Sequence, residues 1–162
     1  MQEKHAQSVK LRRMLWLLRH ADAAEGDPDE TRPLTERGIR QATDAGRALR
    51  RMGVQIDTCL SSPKLRAMQT ATLACEGLGI EVEECPALSG APFEAFDLAA
   101  GRGEVLMVGH DPSFSLTLHD LTGAQVRMRK GGLAAIDKGE LVVLLRPNEL
   151  AVIASGAGEL VS

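Results

Sequence analysis

Short apolar runs alternate along the chain with longer stretches in which apolar residues return every three or four positions. Residues 14–18 (MLWLL), 57–61, 80–84 (IEVEE) and 104–110 (EVLMVGH) have the length and bounding turn residues of strands. Between the first two runs, Ile39, Ala42, Ala45, Leu49 and Met52 step at helical spacing. Thr35 is the expected N-cap, Glu36 sits near the positive helix end, and Gly53 can end the helix in a left-handed conformation. A second helix is predicted to open at Ser62-Pro63, cap then first-turn proline, with Leu65, Met68, Thr72 and Cys75 facing inward and Arg66 off that side. A short helix is expected around residues 93–99. Another follows Asp111-Pro112, with Phe114, Leu118 and Leu121 inward and Gly123 closing it. Residues 133–145 read as two strands joined at Lys138-Gly139, a hairpin on or near a sheet edge. The alternation predicts an α/β fold: a single three-layer α/β/α domain around a mostly parallel sheet, with that antiparallel hairpin near one edge.

The totals narrow the function. At 162 residues, 44% apolar and 25% charged, the chain has the composition of a soluble globular domain. Its net charge of −3 argues against general nucleic-acid binding, and no apolar run is long enough for a membrane span. Residues 1–13 are polar, lack the apolar core of a signal peptide, and are read as a mobile extension. Met14 is an alternative start, and residues 14–162 are read as the domain. Cys59, Cys75 and Cys85 are odd in number and lack C-x-x-C spacing, which favours buried reduced thiols and a cytoplasmic location.

Three predicted strands end in cationic or polar groups: Arg19-His20, Ser61 to Arg66, and His110. In an open parallel sheet these ends share one rim, where ligands bind. Two potentially cationic groups side by side cost free energy unless an anion lies between them. Two arginines, two histidines and nearby helix N-termini make a pocket for a compact, highly charged anion, and phosphoryl suits the planar bidentate donors of arginine.

The segments RHADA (19–23), RPLTERG (32–38), SSPKLRAMQTA (61–71) and VGHDP (108–112) resemble, in order, the motifs of the histidine phosphatase superfamily, the phosphoglycerate mutase-like fold. The resemblance is strongest to its short SixA-type phosphohistidine phosphatases. It implies that His20 is the nucleophile, forming a phosphohistidine intermediate that water hydrolyses. It implies that Arg19 and Arg66 clamp the non-bridging oxygens and that His110 completes the clamp, carrying positive charge. Arg32 is divided between a phosphate contact and a salt bridge with the acidic loop at residues 27–30. The family's usual glycine after Arg-His is Ala21 here, harmless unless positive φ is required. His119 is read as structural or surface, and His5 as without a role.

No metal or cofactor is expected. H-E-x-x-H spacing and phosphate- or dinucleotide-binding glycine loops are missing, and two arginines would repel a divalent cation. Larger relatives supply a carboxylic acid after the third strand. Here that stretch is CPALSGAPFEAF, with Ala87 and Ser89 where an acid is sought and Glu94 fitting no pattern. An alkoxide leaving group needs such an acid, worth typically ~10²–10⁴-fold, whereas imidazole accepts its own proton near neutral pH. The expected substrate is therefore phosphohistidine on a partner protein, met by a monomer; the resemblance implies that the partner is like a phosphotransfer domain or small phosphocarrier. The alternatives are a phosphomonoesterase for a small metabolite and a phosphate-binding module without turnover.

Overall fold

In the computed structural model, which describes residues 14–156, six strands form one sheet in the order β3-β2-β4-β1-β5-β6. Strands β1 (Leu15–Arg19), β2 (Thr58–Ser61), β3 (Val82–Glu84) and β4 (Val105–Gly109) run parallel. Strand β5 (Leu133–Asp137) lies antiparallel beside β1 and forms the hairpin with β6 (Glu140–Leu145) at the sheet edge. The hairpin turns at Lys138 and Gly139, with φ of 50° and 76°, the double positive-φ turn whose twist matches the strands.

Helices α1 (Glu36–Arg51), α2 (Leu65–Leu78) and α5 (Pro147–Ser155) cover one face, and α3 (Ala95–Ala99) and α4 (Ser113–Thr122) the other. Strand β1 shows the division: Trp16 and Leu18 enter the first core, Leu15 and Leu17 the second. Because both faces are covered, the central strands read as continuous apolar runs. The three-layer α/β architecture, mostly parallel with an edge hairpin, is the one the sequence pattern predicts. Thr35 caps α1 as expected, its hydroxyl oxygen accepting from the Gly38 N–H at 3.0 Å. Gly38 itself has to be glycine, since a Cβ there would overlap the Asp22 carbonyl.

Helix α2 departs from expectation in its start and its inner face. It begins at Leu65, not at Ser62-Pro63, because the Ser62 hydroxyl closes a turn ahead of the helix by accepting from Lys64 N–H at 3.2 Å. Its buried residues include Ala67, Ala71, Ala74 and Cys75, whereas Leu65 and Thr72 are exposed and Met68 half-buried. Close helix approach selects that face: a Cβ on Gly46 of α1 would overlap the Ala74 carbonyl, so only small residues fit there. A stripe chosen by side-chain bulk therefore falls on the wrong side, and Arg66, expected off the core, is 6% exposed. Helix α5 was not anticipated, although Pro147 in its first turn and the Glu149 carboxylate accepting from Arg146 N–H at 2.8 Å are ordinary start signals.

All three cysteines are free, Cys59 and Cys75 buried and Cys85 half-buried. Among the described residues, no helix is long and apolar enough to cross a membrane. The extension assigned to residues 1–13 lies outside the described residues.

Candidate functional site

Sheet register brings the predicted residues together. Arg19 on β1 pairs with Gly109 on β4, and Ser61 on β2 with Val108. The residues that follow, His20, Ser62 and His110, therefore leave the sheet at one rim. The His20 and His110 rings lie 5.2 Å apart, tilted by 53°.

Hydrogen bonding fixes the state of His20. Its Nδ1 is 2.8 Å from the Ala21 carbonyl oxygen, which can only accept, so Nδ1 carries the hydrogen and Nε2 keeps its lone pair. Burial, opposed by that hydrogen bond and reinforced by the positive charges of Arg66, Arg19 and Lys130, lowers the His20 pKa to about 4. At neutral pH the ring is uncharged, with the Nε2 lone pair available. Ala21 serves in place of glycine at no conformational cost, since Lys138 is the only described non-glycine residue with positive φ.

His110 is expected to carry positive charge beside a phosphoryl group; with no anion in the site, burial, then His20, Arg66 and Lys64, push its pKa down to about 3. It is a neutral ring with Nε2 2.8 Å from the Ser62 hydroxyl, while Nδ1 is buried without a protein partner. Ser62 Oγ accepts from Lys64 N–H and can donate its own hydrogen to Nε2; in that tautomer Nδ1–H is the free donor of His110.

Arg66 is held from outside the sheet by the acidic loop. Its Nη1 donates to the Asp29 carbonyl at 2.9 Å and its Nη2 to the Asp29 carboxylate at 3.2 Å. The same carboxylate accepts from Arg32 Nη1 at 3.0 Å and lies 3.5 Å from Lys64 Nζ. These cations, through hydrogen bonds from Arg32 and Arg66 first, lower the Asp29 pKa to about 2. Arg32 also donates through Nε to the Ala24 carbonyl at 2.8 Å. Of its two predicted readings, the salt bridge with the acidic loop is the one formed in the structure.

Arg19 points to the opposite flank, where Nη1 donates to the Met128 carbonyl at 2.8 Å. Among the described residues, three buried side-chain nitrogens lack a hydrogen-bond partner: Arg19 Nε, Arg66 Nε and His110 Nδ1. All belong to residues singled out from the sequence. Such buried donors are costly unless something accepts from them. Together with the unshared pair on His20 Nε2, they fit an anion with several acceptor oxygens around an electrophilic centre.

Several contributors escaped the sequence reading. Thr70 accepts from the buried Ala21 N–H at 3.0 Å and donates to the Arg66 carbonyl at 2.7 Å, joining the His20 turn to helix α2. Its signal was weak, a threonine one helical turn after Arg66. Asp29 was seen only as part of an acidic loop. His119 is exposed in the last turn of α4, as expected. Glu94 is an exposed residue at the N-terminus of α3. Among the described residues, no group of three or more His, Cys, Asp and Glu stands close enough to hold a metal ion.

Comparisons with known proteins agree with this geometry. The SixA protein of Agrobacterium tumefaciens is 27% identical with a TM-score of 0.75, over 85% of this chain and 99% of that one. The protein histidine phosphatase SixA complexed with tungstate is 25% identical, TM-score 0.73, with the same coverage. In sequence, the mitochondrial serine/threonine-protein phosphatase Pgam5 of Drosophila persimilis is 38% identical over 85 residues, 49% of this chain. The matched stretch is 29% of that relative's length, so the chain spans about a third of the curated relatives it matches. The family model for the histidine phosphatase superfamily (branch 1) matches residues 15–97, half of the chain, and the chain belongs to that superfamily.

Proposed function

We propose that the protein hydrolyses phosphohistidine on a partner protein through a phospho-His20 intermediate, without metal or cofactor, in the cytoplasm. The observation that carries the reading is the fixed tautomer of His20: Nδ1–H is engaged by the Ala21 carbonyl, and the ring stays neutral down to about pH 4. In the first step the Nε2 lone pair forms a bond to phosphorus while the bond from phosphorus to the substrate imidazole breaks. That imidazole leaves with its electron pair and takes a proton from solvent. Arg19, Arg66 and the Nδ1–H of His110 donate to the non-bridging oxygens, whose charge spreads in the transition state. In the second step water attacks phosphorus, inorganic phosphate departs, and His20 regains its lone pair.

The leaving group decides between a P–N bond and an ester. Asp29 is the carboxylate bonded to the clamp, and with its pKa lowered to about 2 it is ionised and cannot act as an acid at neutral pH. That supports a leaving group needing no acid catalyst. The tungstate complex of the SixA neighbour supports anion binding at such a site. A second reading, phosphoserine or phosphothreonine on a protein, is favoured by the names of the Pgam5 relatives.

Base-quench trapping with labelled substrate tests the proposal. Label should lodge on His20 in an acid-labile, base-stable form, and His20→Ala should lose at least about 10⁴-fold in turnover. A phosphohistidine peptide should be turned over far better than a phosphoserine peptide of the same sequence. Preference for the ester would favour the second reading, and label elsewhere would remove His20 as nucleophile.

A further inference from the structure

The chain's net charge is −3, yet one flank of the site is basic. A cleft of about 780 Å³ opens beyond Arg19, lined by Arg37 from the first turn of α1, by Arg127, Arg129 and Lys130, and by Arg146 just before α5. Arg146 is paired with Glu149. Among the described residues, Arg37, Arg127, Arg129 and Lys130 have no carboxylate within 4.0 Å. Two carboxylates, Asp22 and Asp111, also line the cleft. Each is engaged locally, Asp22 by the Thr35 hydroxyl at 2.7 Å and Asp111 by the Ser115 N–H and hydroxyl.

These cations are not on a loose loop. Residues 123–130 form neither helix nor strand, yet they are pinned to the end of β1. Met128 is 1% exposed, its N–H donates to Ser115 Oγ at 2.9 Å, and its carbonyl takes the Arg19 bond. Gly131 N–H donates to the carbonyls of Arg19 and His20 at 3.2 and 3.0 Å. With Met128 buried, Arg127 and Arg129 remain exposed on either side of it in sequence. Burial lowers the pKa of Arg19, the Asp111 carboxylate opposes this and the charge of Arg127 adds to it, while the charge of Lys130 adds to those that lower His20. Holding like charges together beside the site is unfavourable for the chain alone, so the arrangement calls for an anionic counterpart.

The counterpart is extended. Arginines two residues apart in an extended segment are about 7 Å apart, and the unpaired cations come from two separate parts of the chain, Arg37 and residues 127–130, rather than converging on one point. Exposed, spaced cations match the carboxylates of a protein surface better than one small anion. An acidic partner would also be repelled by the net negative charge of the remaining surface, which would favour approach in one orientation.

We propose that this cleft docks an acidic surface flanking the phosphorylated residue of the substrate protein and thereby aims that residue at His20. The proposal rests on the phosphoprotein reading of the site and adds what the partner must carry.

Three probes separate the two: phosphoramidate, which reports on the phosphoryl site alone, and two phosphohistidine peptides of equal length, one flanked by Asp and Glu, the other by Ser and Gln. At low salt the acidic peptide should show about tenfold higher kcat/KM, through KM, and the advantage should fade at high salt. The double variant Arg37→Ser/Arg129→Ser should erase the preference and leave phosphoramidate turnover within about twofold, because neither charge is among those acting on His20 or Arg19. Arg37→Glu/Arg129→Glu should shift the preference to a Lys-flanked peptide. Equal wild-type turnover of both peptides, or a preference that survives the double variants, would overturn the docking proposal while phosphoramidate turnover upholds the site. Tripolyphosphate competition that the Arg37→Ser/Arg129→Ser variant weakens, with acidic-peptide competition left unchanged, would overturn it in favour of a small polyanion. Failure of all three probes would overturn the phosphoprotein reading, and the proposal with it.

Discussion

The two flanks of the site use arginine in opposite ways. On one side Arg66 is buried on a helix and bonded twice to Asp29, which also gathers Arg32 and Lys64. On the other, Arg19 gives one hydrogen bond to the Met128 carbonyl, and its neighbours Arg127, Arg129 and Lys130 stand exposed without ion pairs among the described residues. The first flank is partly neutralised within the chain, three cations sharing one carboxylate, and held in place. The second keeps its charge facing outward. The proposed phosphoryl transfer needs rigid donors, whereas the proposed recognition of a macromolecule gains from long-range charge, and on this reading separate walls meet the two demands.

Removing the rigid wall should have the largest effect on chemistry. Arg66→Ala should lower kcat/KM by about 10³-fold, near the upper range for loss of one oxyanion-stabilising donor group, for phosphoramidate and peptides alike. An effect confined to peptides would mean that Arg66 belongs to docking, and the contrast between the walls would fail. Asp29→Asn should act less strongly, about tenfold on kcat, by loosening the geometry of Arg66. Its thermal midpoint should scarcely move, since the carboxylate is 48% exposed and such pairs contribute little to stability. A large drop in stability with unchanged kcat would make Asp29 a structural residue rather than a positioning one.

The contrast also explains what was legible in the sequence. Arg19, His20, Arg66 and His110 could be found because strand ends of a parallel sheet share a rim and because their motifs stand in order. The apolar runs sufficed for the sheet and for α1 and α4. The inner face of α2 was misread because alanine and glycine carry little hydrophobic signal, although close packing of α1 on α2 depends on them. Asp29 was hidden because its role depends on three cations brought together only by folding, two of them more than 30 positions away. Ser62 and Thr70 were hidden because a hydroxyl has many local uses, and only the fold reveals that Thr70 ties Ala21 to Arg66. The low pKa of His110 without a bound anion was not legible, because it comes from burial outweighing the influence of the nearby carboxylate Asp29.

Burial of two neutral histidines also gives the fold an acid sensitivity. An unfolded histidine binds its proton near pH 6.5, while folded His20 and His110 resist protonation down to about 4 and about 3. The stability contributed by the neutral rings is thus complete above pH 6.5 and declines as pH falls towards 4, as the unfolded chain takes up protons first. For His20 alone the difference corresponds to about 3 kcal/mol.

The most direct test of the central claim is a long-range ¹H–¹⁵N NMR titration of the imidazoles, assigned with His20→Gln and His110→Gln. The account predicts that His20 is the neutral Nδ1–H tautomer and shows no protonation between pH 8 and about 5. A hydrogen on His20 Nε2 at neutral pH, or a midpoint near 6.5, would contradict it.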